Sequence, residues 1–306
     1  MKVLVTGATG FVGSWLTREL VEAGHAVSAA DHESLDVTSA SAVRRAIQDA
    51  RPDAIAHLAA VAFGPDVDAD PTAAFELAVQ GTISVVEGMR RYRPDAALLV
   101  AGSSEVYLAP GPHDLPLTEN SPLGPRTAYG RSKLAQETVA LDAAREHGLS
   151  VVVTRAFNHI GPGQRGSFVV PALAARVHAF AAGRIDSIRV GNLDVARDFT
   201  DVRDVVRAYR LVAEEMISGA IPRGGSVMNV ASGKAIPIRV IYEIFCQLAE
   251  ITTAPVVDPV LMRPGEPPDI HGSARRLTSA TGWTPSIPLE RTLAEVWGDV
   301  TNRSIA

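Results

Sequence analysis

Val3-Leu4-Val5-Thr6-Gly7-Ala8-Thr9-Gly10-Phe11-Val12-Gly13 is the stretch that decides the fold. An apolar run meets a glycine triplet, and apolar residues at helical spacing follow at once (Phe11, Trp15, Leu16, Leu20). The reading is strand, tight turn, helix. In the spacing Gly-x-x-Gly-x-x-Gly, Gly7 permits the turn and Gly10 lets backbone approach a pyrophosphate at the helix N-terminus. Gly13 lets helix and strand pack closely. A glycine triplet alone is weak, but a strand before it and a helix after it are the context a dinucleotide loop requires. Thr9, Phe11 and Val12 are then further candidate cofactor contacts.

Working outward, Phe11 to Glu22 is a helix stopped by Gly24, and Ala26 to Ala30 a second strand. Helices follow at Ser41 to Asp49, Pro71 to Arg91 and Thr127 to His147. Strands fall at Asp53 to Leu58, Ala97 to Ala101 and Ser150 to Arg155. Continuous apolar strands alternating with amphipathic helices predict an α/β fold, a doubly wound parallel sheet covered on both faces. After about residue 160 the chain is richer in Gly and Pro, with shorter elements between. That pattern predicts a dinucleotide-binding domain over 1–160 and a smaller substrate domain over 161–306, with segments near 190–215 returning to the first.

Composition narrows the function. A formal net charge of −5 gives no electrostatic reason to expect nucleic acid. Cys246 is the only cysteine, which excludes an intrachain disulfide and a cysteine zinc cluster, and the eight histidines lack ligand spacing, so no metal is expected. Asp66, Asp68 and Asp70 imitate the opening of a calcium loop, but Pro71 stands where glycine is needed and Leu77 where glutamate is. No apolar run approaches a membrane span and the start lacks a signal-peptide layout, so a cytoplasmic protein without membrane contact is expected. His57 reads as a packed core histidine. Lysine supplies only three of the 29 basic residues, Lys2, Lys133 and Lys234.

One of those lysines completes Tyr129-Gly130-Arg131-Ser132-Lys133, whose spacing puts Tyr129 and Lys133 on one helix face. An ammonium beside a phenol, with a cationic nicotinamide nearby, lowers the tyrosine pKa and fits it for proton exchange with a substrate oxygen. The strand Ala97 to Ala101 runs into Gly102-Ser103-Ser104-Glu105-Val106-Tyr107, and ligands of open α/β sheets bind beyond such strand ends. Ser103 and Glu105 there are candidates for orienting a carbonyl and for acid–base work. Asp31, closing the second strand, can accept the adenosine ribose hydroxyls and would repel a 2′-phosphate, which favours NAD(H) over the alternative NADP(H). Asp36 is a candidate adenine contact, with an N-cap role for Thr38 or its neighbours as the alternative reading of that stretch. Val37, and Leu58, Ala59 and Ala60 at the end of the third strand, are further cofactor candidates.

Together these motifs resemble the extended short-chain dehydrogenase/reductases that act on nucleotide sugars, and the likeness runs along nearly the whole chain. Arg155-Ala156-Phe157-Asn158-His159-Ile160-Gly161-Pro162-Gly163-Gln164 is similar to the family segment that closes over nicotinamide and sugar. Gly191-Asn192-Leu193, before Arg197-Asp198-Phe199, resembles the GDP-sugar branch, where UDP-sugar members tend to read Gly-Asp-Gly. Met262-Arg263-Pro264-Gly265-Glu266 and Thr281-Gly282-Trp283 continue the match. The resemblance implies a Rossmann fold and NAD(P) as cofactor. It also implies a GDP-linked nucleotide-sugar substrate, a homodimer, and hydride transfer to the 4-keto group of a 6-deoxy sugar. A 4,6-dehydratase or a 4-epimerase is the alternative, and a non-catalytic dinucleotide-binding protein a distant one.

Residue by residue, the resemblance makes Tyr129 the proton donor, Lys133 its partner and ribose ligand, Ser103 the catalytic hydroxyl, and Phe157 a cofactor contact. Ser104, Asn158, Val169 and Asn192 would touch the nucleotide sugar. Arg197 and Arg263 would hold its pyrophosphate and Glu266 its ribose, with surface ion pairs as the alternative use of these three. Two departures stand out. Ala78 replaces an asparagine that often supports the lysine, and the sugar-facing segment Phe63 to Asp70 is unusually acidic.

Overall fold

The computed structural model describes residues 1–262 and 265–303. Its first half alternates β1 (Lys2–Thr6), α1 (Phe11–Glu22), β2 (Ala26–Ala30), α2 (Ala40–Ala50), β3 (Ala54–His57), α3 (Gly64–Ala69), α4 (Pro71–Tyr92), β4 (Ala97–Ser103), α5 (Ala128–His147) and β5 (Ser150–Ala156). There follow β6 (Asn158–Ile160), α6 (Val169–Ala181), β7 (Arg189–Val190), β8 (Ala196–Asp201), α7 (Val202–Ser218) and β9 (Gly224–Val230). The last elements are β10 (Ala235–Pro237), α8 (Ile238–Leu248), β11 (Val256–Val257), β12 (Asp269–Ile270), α9 (Arg275–Thr281) and α10 (Leu289–Arg303).

Six strands form one sheet in the order β2-β1-β3-β4-β5-β9, and every pairing is parallel. The order reverses direction between β1 and β3. There the connections leave on opposite faces and the strand ends splay, which opens a crevice for a ligand. One face is packed by Leu16 and Leu20 of α1, Val205 and Val212 of α7, and Leu277 and Trp283 near the C-terminus. The other is packed by Val43 and Ile47 of α2, Val85 and Met89 of α4, and Ala140 and Ala144 of α5. A parallel sheet requires such two-sided cover, and the buried runs of β3 and β5 are its sequence record.

A second, smaller sheet is centred on β8, which pairs with β6 and β12 in parallel and with β10 antiparallel. Its strands come from residues 158 to 270, so the pairing is long-range. A third core, including Leu173 of α6, Phe245 of α8 and Leu293 of α10, lies against it.

Helix α5 starts sharply because Thr127 accepts from the Gly130 N–H at 2.9 Å, and stops at Gly148 in the left-handed region. It is tied to the sheet by a buried ion pair. Arg155 of β5 donates through Nε to Glu137 at 2.9 Å, with a second bond beside it, and both side chains are almost fully buried. The Arg155 guanidinium also lies 4.8 Å from the centre of the Tyr107 ring. Removing one partner strands the other charge in the core, at a cost of about 3–5 kcal/mol. Glu137→Leu is therefore expected to lower the unfolding free energy in urea by about that amount, whereas a loss below about 1 kcal/mol would show that Arg155 finds other compensation.

Candidate functional site

The strand ends of the large sheet and the loops of the small one enclose a cleft of about 1080 Å³. At its floor, Gly7 has a φ of +72°, and a Cβ there would sit 2.9 Å from the Ala59 backbone nitrogen. A Cβ on Gly13 would sit 2.1 Å from the Gly7 carbonyl oxygen. Both positions thus require glycine, one for conformation and both for space. Gly10 opens α1 without any side-chain cap, so the first N–H groups of that helix face the cleft unclaimed by side chains. An anion-receptive helix end above a cradle that admits no Cβ fits a dinucleotide pyrophosphate.

Asp31 stands just beyond β2. Its Oδ1 accepts from the Ser34 hydroxyl at 2.7 Å and the Ser34 and Glu33 N–H groups at 2.9 and 3.2 Å. These bonds, Ser34 foremost, hold its carboxyl below the usual range, so the group is charged. One oxygen is used by the turn, and the other has no hydrogen bond to the described residues. Asp36 also fixes a turn, accepting from the Thr38 N–H at 2.9 Å and hydroxyl at 2.7 Å, while Ser39 caps α2. Asp36 also lines the cleft, and the cap of α2 falls to a neighbour of Thr38, Ser39.

Most predicted positions meet here. Thr9, Phe11, Val12, Val37, Leu58, Ala59, Ala60, Ser103, Ser104, Glu105, Tyr129 and Phe157 all line the cleft. So do Asn158, Val169, Asn192, Arg197 and Glu266. Arg263 lies outside the described residues. Lys133 does not line the cleft. It is buried beneath it, donating to the Ala101 carbonyl at 2.9 Å and to the Gln136 amide oxygen at 3.0 Å. Burial lowers its pKa to about 8.

The expected lowering of the Tyr129 pKa by Lys133 and a nicotinamide concerns the cofactor-loaded site. In the chain alone the phenol is held above the ordinary range. Burial is the largest cause and the Glu105 charge adds to it, while the Ser103 hydroxyl opposes both. Lys133 spends two of its protons on the Ala101 carbonyl and the Gln136 amide oxygen. Glu105 accepts from the Thr127 hydroxyl at 2.6 Å, which joins it to the cap of the helix that carries Tyr129. Arg197 donates to Glu266 at 2.6 Å and to the Pro267 carbonyl at 3.0 Å, so these two residues are joined to each other. His57 is fully buried and accepts or donates at Thr6 at 2.8 Å, and burial, then the Lys133 charge, bring its pKa down to about 3. It is a neutral core histidine.

Sequence reasoning passed over several wall residues. His159 stacks on Phe11 with centroids 6.2 Å apart and lies in the cleft wall. Phe63 of the loop before α3 meets Phe168 edge-on at 5.0 Å, and Asp66 pairs with Arg165, forming a clasp across the mouth. The acidic reading of residues 63–70 flagged one side of the clasp, but nothing local marked the other.

Residues 3–231 match the model of the NAD dependent epimerase/dehydratase family. The chain belongs to that family. It is 33% identical to the GDP-6-deoxy-D-mannose reductase of Pseudomonas aeruginosa over 99% of its own length and 98% of the relative's. The structure of RMD from Pseudomonas aeruginosa complexed with NADPH superposes with a TM-score of 0.89 at 31% identity, covering 99% of this chain and 100% of that one. A Thermus thermophilus UDP-glucose 4-epimerase complexed with NAD gives 0.83 at 26% identity, covering 98% and 99%. Membership makes the chain an NAD(P)-dependent enzyme of the nucleotide-sugar oxidoreductase type, with the expected Rossmann sheet. No helix among the described residues is long and apolar enough to cross a membrane.

In a member of this family, closing the space at Gly13 is expected to weaken the cofactor site before anything else. A Gly13→Ala chain should bind NADH at least about tenfold more weakly by fluorescence titration, as the loop shifts away from the added methyl. Unchanged affinity would mean that the loop is not the pyrophosphate cradle.

Proposed function

We propose that the protein transfers hydride from NADH to the 4-keto group of a GDP-linked 4-keto-6-deoxy hexose. The observation that carries this reading is the likeness to a GDP-6-deoxy-D-mannose reductase along both chains, second half included. The cofactor supplies the hydride. The chain's own residues bind, orient and move the proton. Tyr129 gives its phenolic proton to the oxygen on carbon 4, and a phenol kept protonated by burial is the form a reductase needs at the start of its cycle. Ser103, buried beside it, orients the carbonyl. Lys133, buried beneath the cleft, holds positive charge there and keeps a third N–H that its two protein acceptors leave for the nicotinamide ribose.

Asn158 and Val169 contact the sugar and Asn192 the nucleotide. The Arg197–Glu266 pair and Arg263 supply the diphosphate and ribose end, where a planar guanidinium suits phosphate oxygens. Asp31, charged and fixed by its turn, supports NADH over NADPH, although the Pseudomonas relative is complexed with NADPH. The reading includes a cytoplasmic homodimer. Exposed Phe75 and Ile83 on α4 offer a partner face, and a single buried cysteine suits a reducing compartment. Sedimentation at the mass of one 32.3 kDa chain would remove the dimer from it.

The rival is a 4,6-dehydratase, which must also take the proton on carbon 5 with a carboxylate, and Glu105 stands in the cleft for it. Its bond to Thr127 favours a role in holding α5. With GDP-4-keto-6-deoxymannose, NADH is expected to be consumed one for one. Tyr129→Phe should lose about a hundredfold or more of kcat and Glu105→Gln much less. Conversion of GDP-mannose to its 4-keto-6-deoxy product without net cofactor use, abolished by Glu105→Gln, would give the reaction to the dehydratase.

Cofactor choice is a separate measurement. The ratio of kcat/KM for NADH to that for NADPH should exceed about ten, and Asp31→Ala should bring it toward one. Equal or better use of NADPH by the unaltered chain would overturn the assignment of Asp31.

A further inference from the structure

Helix α5 buries Ser132, Lys133, Gln136 and Glu137, four polar side chains inside a hydrophobic layer. Ser132 bonds back to the Tyr129 carbonyl at 2.8 Å, and Glu137 is spent on Arg155. Lys133 and Gln136 are left to each other. Gln136 is 1% exposed and lies outside the cleft wall, so contact with a ligand is not its task.

Its bonds run in one direction only. The Ala78 carbonyl can only accept, so the Thr82 hydroxyl, 2.7 Å away, spends its proton there. Thr82 can then only accept from the Gln136 amide nitrogen at 3.1 Å. With that nitrogen fixed, the amide oxygen must face Lys133, where it lies 3.0 Å from Nζ. An ammonium only donates, so every partner agrees. The far end is anchored on backbone of α4, at the position whose side chain, a bare methyl, contributes nothing. Lys133 spends one proton on Gln136 and one on Ala101, and the third has no protein acceptor among the described residues.

We propose that Gln136 is the positioning residue for Lys133, with its amide oriented by Thr82 so that its oxygen holds the buried lysine charged and aimed under the cleft. The role of Lys133 itself rests on the reaction proposed above. The groups around the ammonium leave Gln136 this work. His57 of β3 is neutral, Tyr129 one turn earlier on α5 is protonated, and Glu137 is neutralised by Arg155. Among the described residues no carboxylate acts on the Lys133 ammonium to compensate its burial.

With three lysines in the chain, protein labelled with carbon-13 lysine gives a spectrum simple enough to follow Lys133 through a pH titration, assigned by its loss in Lys133→Met. In the unaltered chain without cofactor it is expected to titrate near pH 8, and the same titration in the NADH complex gives the midpoint that applies during turnover. Gln136→Met keeps the shape without the acceptor, and should move the midpoint down by about one pH unit. The alkaline limb of kcat should follow. Half a pH unit above the midpoint of the unaltered complex kcat should fall about eightfold, while at pH 6 kcat, and at both pH values KM for the keto-sugar nucleotide, stay within about twofold. Thr82→Val frees the amide and should act in the same direction, less strongly. Gln136→Glu restores an acceptor and should raise the midpoint above that of the unaltered chain.

An unmoved lysine midpoint in folded Gln136→Met, or a kcat loss equal at both pH values, would reduce Gln136 to core filling and overturn the proposal. Should Gln136→Met fail to fold, the opposite shifts expected of Thr82→Val and Gln136→Glu decide it. If the unaltered chain reduces no keto-sugar nucleotide, the reaction is wrong, and the lysine titration still decides the role of Gln136.

Discussion

One buried ion pair governs where the chemistry can sit. Arg155 and Glu137 bind α5 to β5 in the interior, and α5 carries Tyr129, Lys133 and Gln136 within two turns. A helix packed only by small apolar residues could slide along the sheet or roll on its axis. A charged, hydrogen-bonded pair allows neither, because displacement would leave two unpaired charges in a medium that cannot solvate them. The position of the phenol beside Ser103, at the end of β4, is therefore inherited from a contact below it. Thr127 then fixes the start of the same helix and hands Glu105 its hydrogen bond, so the floor and rim of the cleft share one frame.

The first half of this architecture was legible because its signals are local. Phe11–Glu22 and Ala26–Ala30 have the limits that spacing and Gly24 predict, and the other early elements differ by one or two residues at their ends. Helix α3 was not legible. Six residues that include Pro65, Asp66 and Asp68 carry too little apolar periodicity, and a single buried Val67 anchors them. The strands around β8 were hidden for another reason. Each is two to six residues long, and its partner lies tens of residues away, so no window of sequence contains the pairing.

The site divides the same way. Residue types at motif positions located the cleft walls, and the glycine cradle is explained by space alone. What sequence could not say is how each polar group is spent. The commitment of Lys133 to Gln136 runs on to a bond with Thr82 of α4, 51 residues upstream of the lysine. The cap of α2 was left open because Thr38 and Ser39 each carry a hydroxyl that can take the role, and Ser39 takes it. Arg197 and Glu266 meet only because β12 follows β8 in register, at Asp269 opposite Ala196.

The clasp at the mouth carries a kinetic consequence. Asp66 and Arg165 are both well exposed, and such pairs contribute about 0–1 kcal/mol. The Phe63–Phe168 edge contact adds a similar amount. A closure that weak is crossed by thermal motion many times during a slow chemical step, so it sets no toll on entry. It does tie passage of ligand to ionic strength, because salt screens an exposed pair and leaves the ring contact untouched. Residence of a large, doubly charged ligand in this cleft is then governed by its own grip on the walls, with the door left on a light latch.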